Sequence, residues 1–235
     1  HLSFKCGFSW GSQVKELSWS WIGRVAYEEA LLLQRQRRAN VIAGQEPEIV
    51  WMLEHNPVIT TGRRSISTLA TKEHLEAHGI ELVRTERGGL ATYHGPGQLV
   101  AYPIVNCWER GIGAKGAVHA MEQSVIDWLA ALGAIGERRG GFPGVWVGAA
   151  KICSIGMHFK KGVSMHGIAI NLHGDLPGFK LIDPCGLPNA SITSLDRILG
   201  IHMSAQEAAQ SLAPHVIRNL MNPICKMTKG SRSMG

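Results

Sequence analysis

The 235-residue chain has no Cys-x-x-Cys pair and no regular cysteine framework; its five cysteines are Cys6, Cys107, Cys153, Cys185 and Cys225. An odd, scattered set reads as free thiols in a reducing compartment rather than a disulfide scaffold. No run approaches the roughly 18 apolar residues of a membrane helix, so no membrane partner is expected. The histidines and cysteines lack the short paired spacings of a zinc site, so no metal is expected. No Gly-Lys-Ser/Thr ending follows the glycine-rich stretch, and its glycine spacing is not a dinucleotide fingerprint. The basic cluster Arg35, Arg37 and Arg38 lies on one predicted helix without interleaved aromatics, so no nucleic-acid partner is expected. There is no internal repeat and no linker.

What is present is enough for one sizeable core: 45% hydrophobic residues at a mean hydropathy of +0.01. The net charge of +6 reads either as a solvated surface or as a field that steers an acidic partner inward. Residues 17–222 are read as a single catalytic domain, 1–16 as an N-terminal extension, and 223–235 as a disordered tail. Tyr27 to Ile42, Thr71 to His78 and the periodic Val118–Leu132 stretch predict helices, with Gly133 ending the last. Ser204 and Glu207 form a capping box before a further helix. Glu48–Leu53, Ile80–Val83, Leu99–Ile104, Val145–Val147, Ile152–Phe159 and Val163–Leu172 predict strands. "KKG" at 160–162 predicts a hairpin turn between the last two. Pro57 and Gly62 predict a loop after the first strand. The mixture predicts an α+β (mixed α/β) fold.

Three segments break the rules of ordinary elements. In "ERGGLATYHGPGQLVAYP", residues 86–103, four glycines crowd around Arg87 and His94, and glycine permits close backbone approach to a ligand. In "GVWVGAAKICSIGMHF", residues 144–159, Lys151 falls inside an apolar run with no acidic residue near it in sequence. It is either a snorkelling edge lysine or a desolvated one whose pKa falls toward neutrality and which can exchange a proton with a thiol. In "GFKLIDPCGLPNASITSL", residues 178–195, Cys185 stands between Pro184 and Gly186. It is either an incidental loop thiol or a nucleophile held in a fixed direction. The predicted 152–172 hairpin would return the chain from Lys151 toward Cys185. His166, in "SMHGIAIN", is one of eleven histidines and alone reads as structural.

Taken together, these segments resemble the lipoyl(octanoyl) transferases. "RGGLATYHGPGQLVAYP", "GVWVGAAKICSIG", "HGIAINL" and "PCGLPNASITSL" are similar to four segments of that family in the same order. "GRVAYEEALLLQ" (23–34) and "EHNPVITTGRR" (54–64) are similar to its N-terminal part. The likeness runs from about Gly23 to Leu199.

The resemblance implies the biotin/lipoate protein ligase-like fold, a central mixed β-sheet flanked by helices. It implies an enzyme that moves an octanoyl group from octanoyl-acyl carrier protein to the lysine of lipoyl domains, the first step of endogenous lipoylation. Acceptors would be proteins such as glycine cleavage H protein and 2-oxoacid dehydrogenase E2 subunits. Cys185 would be the acyl-accepting nucleophile and Lys151 its proton-transfer partner. Arg87, Gly88, Gly89, Leu90, Ala91, Thr92, Tyr93, His94, Ser154, Ile155, Gly156, His166, Gly167, Ile168 and Ala169 would bind substrate. "GPG" at 95–97 would help shape the pocket, and Gly156 and Gly167 would let strands approach the substrate. No cofactor is expected, because a thioester donor is already activated. The alternatives are an ATP-dependent lipoate/biotin-type ligase and a cysteine thioesterase. Many bacterial members carry Gln-Val or Gln-Thr where this chain has Leu90 and Ala91. That version leans toward a mitochondrial setting, with bacterial cytoplasm as the alternative. Cys153, where alanine is frequent, adds a second thiol that would compete as acyl acceptor or oxidise.

Overall fold

The computed structural model describes residues 16–63, 70–174, 176–182 and 191–221. Cys6, Cys185 and Cys225 lie outside these residues, as do nearly all of the N-terminal extension and the C-terminal tail.

The chain enters as β1 (Ser18–Val25), whose Ser-Trp alternation suits a strand with two different faces. The helix α1 (Tyr27–Ile42) follows, then β2 (Ile49–His55) and β3 (Val58–Thr61). The predicted loop after Pro57 is thus a strand: "VITT" is β-branched, and proline is tolerated just before a strand starts. Next come α2 (Lys72–Ala77), β4 (Glu81–Arg84), β5 (Thr92–His94), β6 (Gln98–Ile104) and α3 (Gly113–Leu132). The strands β7 (Glu137–Arg139), β8 (Phe142–Val147), β9 (Ala150–Lys160) and β10 (Val163–Asn171) form a meander. Lys161 and Gly162 both have positive φ, 48° and 81°, the type I′ pattern of a two-residue hairpin. After a 3₁₀ turn at Pro177–Leu181 come β11 (Ser191–Ile192), α4 (Leu195–Leu199) and α5 (Ala205–Met221). The capping box forms as expected: Glu207 N donates to Ser204 Oγ, and Ser204 N donates to Glu207 Oε2.

The large mixed sheet runs β1-β2-β6-β10-β9-β8-β7, with β11 added beside β9. The small sheet is β4-β3-β5, with β4 parallel and β5 antiparallel to β3. Val50, Met52, Leu99, Ala101, Ile168 and Ile170 pack with α3 and α5 residues in the main core. Leu53, Val100, Tyr102 and Ala169, which alternate with them along the strands, pack toward Ala30 of α1. β10 is buried along its whole length because both faces are covered. Tyr27, Leu31, Val58, Val83 and Met165 join α1, the small sheet and β10.

The three arginines of α1 are engaged within the fold. Arg35 pairs with Glu86 at 2.9 Å and Arg37 with Glu46 at 2.7 Å, while Arg38 Nη1 lies 2.8 Å from His158 Nδ1. No helix of the described residues is long and apolar enough to cross a membrane.

Candidate active site

A cavity of about 380 Å³ opens between strands β6, β9 and β10 and the segment leading into β5. Arg87, Gly88, Gly89, Leu90, Ala91, Thr92 and His94 line it from that segment. Ser154, Ile155 and Gly156 line it from β9, and His166, Gly167, Ile168 and Ala169 from β10. Lys151 also lies in its wall. Tyr93 does not line it. Along β5 side chains alternate, so Tyr93 points away from Thr92 and His94 and packs on Phe179, with ring centroids 5.8 Å apart.

Each glycine expectation takes a specific form. A Cβ on Gly167 would overlap the Ala101 carbonyl of β6, and one on Gly156 would press on the Gly88 carbonyl at 2.8 Å. Gly156 and Gly167 face each other across β9 and β10. The close approach they permit is therefore of chain to chain. Gly88 N donates to Met157 O at 3.2 Å, seating the Arg87–Gly89 loop on β9. Gly95, Pro96 and Gly97 are not part of the lining. Gly97 instead accepts from Leu172 N and His173 N and donates to Glu54 Oε1, tying the loop to the end of β10 and to β2.

Arg87 is buried, and among the described residues no carboxylate pairs with it. Its Nε and Nη2 donate to Thr60 Oγ1, Nη2 also to Thr60 O, and Nη1 to Gly88 O. These partners are carbonyls and a hydroxyl, which carry no negative charge, and burial lowers its pKa.

Lys151 is 7% exposed. Its Nζ lies 5.1 Å from the centre of the Trp146 ring, the residue opposite it in the β8–β9 register. Among the described residues no carboxylate pairs with it. On its other side β11 pairs with β9: Ile192 stands opposite Lys151, and Thr193 N donates to Lys151 O at 3.0 Å. The β9–β10 hairpin therefore does return the chain to Lys151. Cys185 itself is outside the described residues, while Ile182 before it and Ser191 after it are within them.

Cys153 belongs to the main core on the helix side and is fully buried. Burial pushes its thiol pKa far up, and Cys107 is raised to about 11 for the same reason. Neither has the exposure or thiolate character of an acyl acceptor.

The sequence reading missed Tyr27, Tyr102, Val118, Phe142, Pro143 and Met157, which also line the cavity. Tyr27 read only as the start of a helix, and Tyr102 only as part of an apolar strand. Both tyrosines belong to a buried aromatic cluster with three histidines. Tyr27 stacks on His94 at 5.9 Å and tilts toward His55 at 5.0 Å. His55 Nε2 lies 2.7 Å from Tyr102 Oη, and Tyr27 Oη lies 3.5 Å from His166 Nδ1. Burial holds His55 down to about 4 and His166 to about 3, and drives His94 well below the usual value, so all three are neutral. His166 takes φ of +59° in mid-strand. Left-handed backbone in a non-glycine residue is uncommon and clusters at functional sites. As a result Met165 and His166, adjacent in sequence, both reach residues of α1: Met165 joins Tyr27 in one cluster, and His166 contacts Tyr27 and donates its backbone N–H to Gln34 Oε1.

The lipoyl protein ligase A/B catalytic domain model matches residues 26–217. The chain belongs to this family. An octanoyltransferase of Chloroflexus aurantiacus is 43% identical over 208 residues, 86% of this chain and 93% of the relative. One of Nitratidesulfovibrio vulgaris is 46% identical over 181 residues, 76% and 83% of the two chains. This lipoyl ligase A/B family member is an acyltransferase. A bi-partite lipoate protein ligase of Thermoplasma acidophilum superposes with a TM-score of 0.64 at 15% identity, over 88% of this chain and 83% of that one. A lipoate-protein ligase A bound with ATP gives 0.64 at 14% identity, over 86% and 82%. These structures establish the fold alone: the expected lipoate-ligase-like mixed sheet with flanking helices.

Proposed function

We propose that this acyltransferase moves an octanoyl group from octanoyl-acyl carrier protein to a lysine of a lipoyl-domain protein, through a thioester on Cys185. Lys151 takes the Cys185 proton, and the thiolate attacks the thioester carbonyl. A new sulfur–carbon bond forms, the bond to the carrier's thiol breaks, and Lys151 returns the proton to that leaving thiol. The amine of the acceptor lysine then attacks acyl-Cys185. The nitrogen–carbon bond forms, the Cys185 thiolate leaves, and the amine's proton passes back through Lys151. Thioester to amide is downhill, so the reaction needs no ATP.

The observation that carries this reading is the surroundings of Lys151: buried in the cavity wall, without a carboxylate partner among the described residues, and on a strand paired with the one that follows Cys185. Cys185 is three residues past Ile182 and six before Ser191. A cavity of about 380 Å³ lies at the small end of the range of about 300–1,000 Å³ usual for ligand sites. Its apolar wall residues Leu90, Ile155, Met157 and Ile168 suit an acyl chain. The Gly88 N–H is taken by Met157 O, so backbone N–H groups of residues 89–90 or of the 185–187 region are the candidates to hold the oxyanion. The relatives named octanoyltransferase support the choice of acyl group.

The named relatives are bacterial, which supports the bacterial cytoplasm; the "RGGLAT" version of the loop supports a mitochondrial setting. The +6 charge suits an acidic carrier, and a kcat/KM that falls with ionic strength is the expected sign of such steering. The deciding experiment is intact-mass analysis of protein incubated with octanoyl carrier protein and no ATP. The octanoyl adduct is expected on wild type and on Cys153→Ala but absent from Cys185→Ala. An adduct on Cys185→Ala, or free octanoate as the sole product when acceptor is present, overturns the proposal.

A further inference from the structure

His94, Gln98, Asn171 and Thr193 are all buried, and they form one hydrogen-bonded chain that runs across three strands of two sheets (β5, β6 and β10) to the residue just after β11. His94 Nδ1 lies 2.7 Å from Gln98 Oε1. Gln98 Nε2 lies 3.2 Å from Tyr93 O and 2.9 Å from Asn171 Oδ1. Asn171 Nδ2 lies 3.0 Å from Thr193 O. Thr193 N in turn lies 3.0 Å from Lys151 O.

This chain has only one consistent polarity. Tyr93 O and Thr193 O are backbone carbonyls and can only accept. The Asn171 amide must therefore turn its Nδ2 to Thr193 and its Oδ1 to Gln98. Gln98 must turn its Nε2 to Tyr93 O and Asn171 Oδ1, which leaves Oε1 as the acceptor for His94. So Nδ1 of His94 must carry the proton. Burial keeps the ring neutral, so Nε2 carries a lone pair. His94 lines the cavity, and Nε2 has no protein partner among the described residues. β6 and β10 enforce the link, since Gln98 and Asn171 stand opposite each other in their register.

We propose that Gln98 and Asn171 are positioning residues of this acyltransferase. They hold His94 as the Nδ1–H tautomer, so that Nε2 offers an acceptor lone pair to the cavity, and they tie β10 to the strand that flanks Lys151. The activity arm of this inference rests on the proposed acyl transfer; the tautomer arm does not.

The test is nitrogen NMR on the full chain labelled at histidine, with the His94 signals identified by their loss in His94→Gln. Wild type is expected to show protonated Nδ1 and unprotonated Nε2. Gln98→Leu removes the acceptor and is expected to move the proton to Nε2 or mix the two forms. Gln98→Glu restores an acceptor and is expected to restore the Nδ1–H form. Asn171→Asp keeps the Gln98 contact but loses the donor to Thr193 O. It is expected to leave the tautomer intact while lowering kcat on the order of tenfold to a hundredfold, with little change in KM. Protonated Nε2 in wild type, or a Gln98→Leu spectrum identical to wild type, overturns the proposal. So does unchanged kcat in Asn171→Asp. Should Gln98→Leu fail to fold, the wild-type spectrum alone still decides the tautomer. A wild-type protein with the expected tautomer and no acyl adduct would sink the reaction reading and leave this arm standing.

Discussion

Thr193 donates its backbone N–H to the carbonyl of Lys151 at 3.0 Å, joining a two-residue strand that follows Cys185 to the strand that holds the lysine. The pair links the two segments that the chemistry needs together. Lys151 has Trp146 on its side-chain face and β11 on its backbone edge, which limits where its Nζ can go.

Replacing Lys151 with methionine keeps most of its aliphatic length and removes the proton carrier. Turnover is expected to drop on the order of 10²–10⁴-fold. Thermal melting is expected to change little, because no ion pair among the described residues is lost. A loss of activity matched by a comparable loss of stability would contradict the assigned role.

Gly167→Ala places a Cβ against the Ala101 carbonyl of the neighbouring strand. Neither strand has room to move, as both are central in the large sheet and buried on both faces. The variant is expected to lose about 1–3 kcal/mol, a fall in Tm of roughly 2–4 °C per kcal/mol. Chemical denaturation measures it directly.

Cys153 and Cys107 are buried thiols with raised pKa values. An alkylating reagent is expected to spare both in the folded protein and to modify both in denaturant, as peptide mass mapping would show. Rapid folded-state labelling of Cys153 would reopen it as a competing acyl acceptor.

Acid should destabilise the fold through the histidine cluster. His55 falls to about 4 and His166 to about 3 in the folded state, against about 6.5 when unfolded. Below pH 6.5 the unfolded chain binds protons that the folded chain refuses, so stability present above that pH is lost as pH falls toward the folded values. The expected slope is about 1.4 kcal/mol per pH unit for each histidine between about pH 6.5 and 4. Denaturation curves of wild type and His55→Gln over that window test it, and the variant should show the shallower slope.

Several elements were legible in the sequence because their signals are local. The dense Ala, Leu, Gln and Arg of residues 27–42 specify α1, Ser204 and Glu207 cap α5, and Lys161–Gly162 turns the β9–β10 hairpin. The glycine-rich segment and the lysine in an apolar run also marked the cavity wall in advance. Short elements were less visible. "VITT" was hidden between a proline and a glycine, and two-residue β11 has no periodicity of its own. Trp146 was within reach of sequence reasoning, since a tight turn at Gly148–Ala149 sets it opposite Lys151.

The sequence by itself determined the element types, the segments exempt from ordinary packing and the family they resemble, since each depends on residues close together in the chain. Tertiary structure alone decided that Gly156 and Gly167 admit neighbouring backbone, that Cys153 faces the core and that Tyr27 and Tyr102 reach the cavity. It also decided which nitrogen of His94 bears the proton. That choice depends on Gln98 meeting Asn171, 73 positions away, across two strands. Periodicity reports which face a side chain occupies; only the sheet register supplies its hydrogen-bond partner.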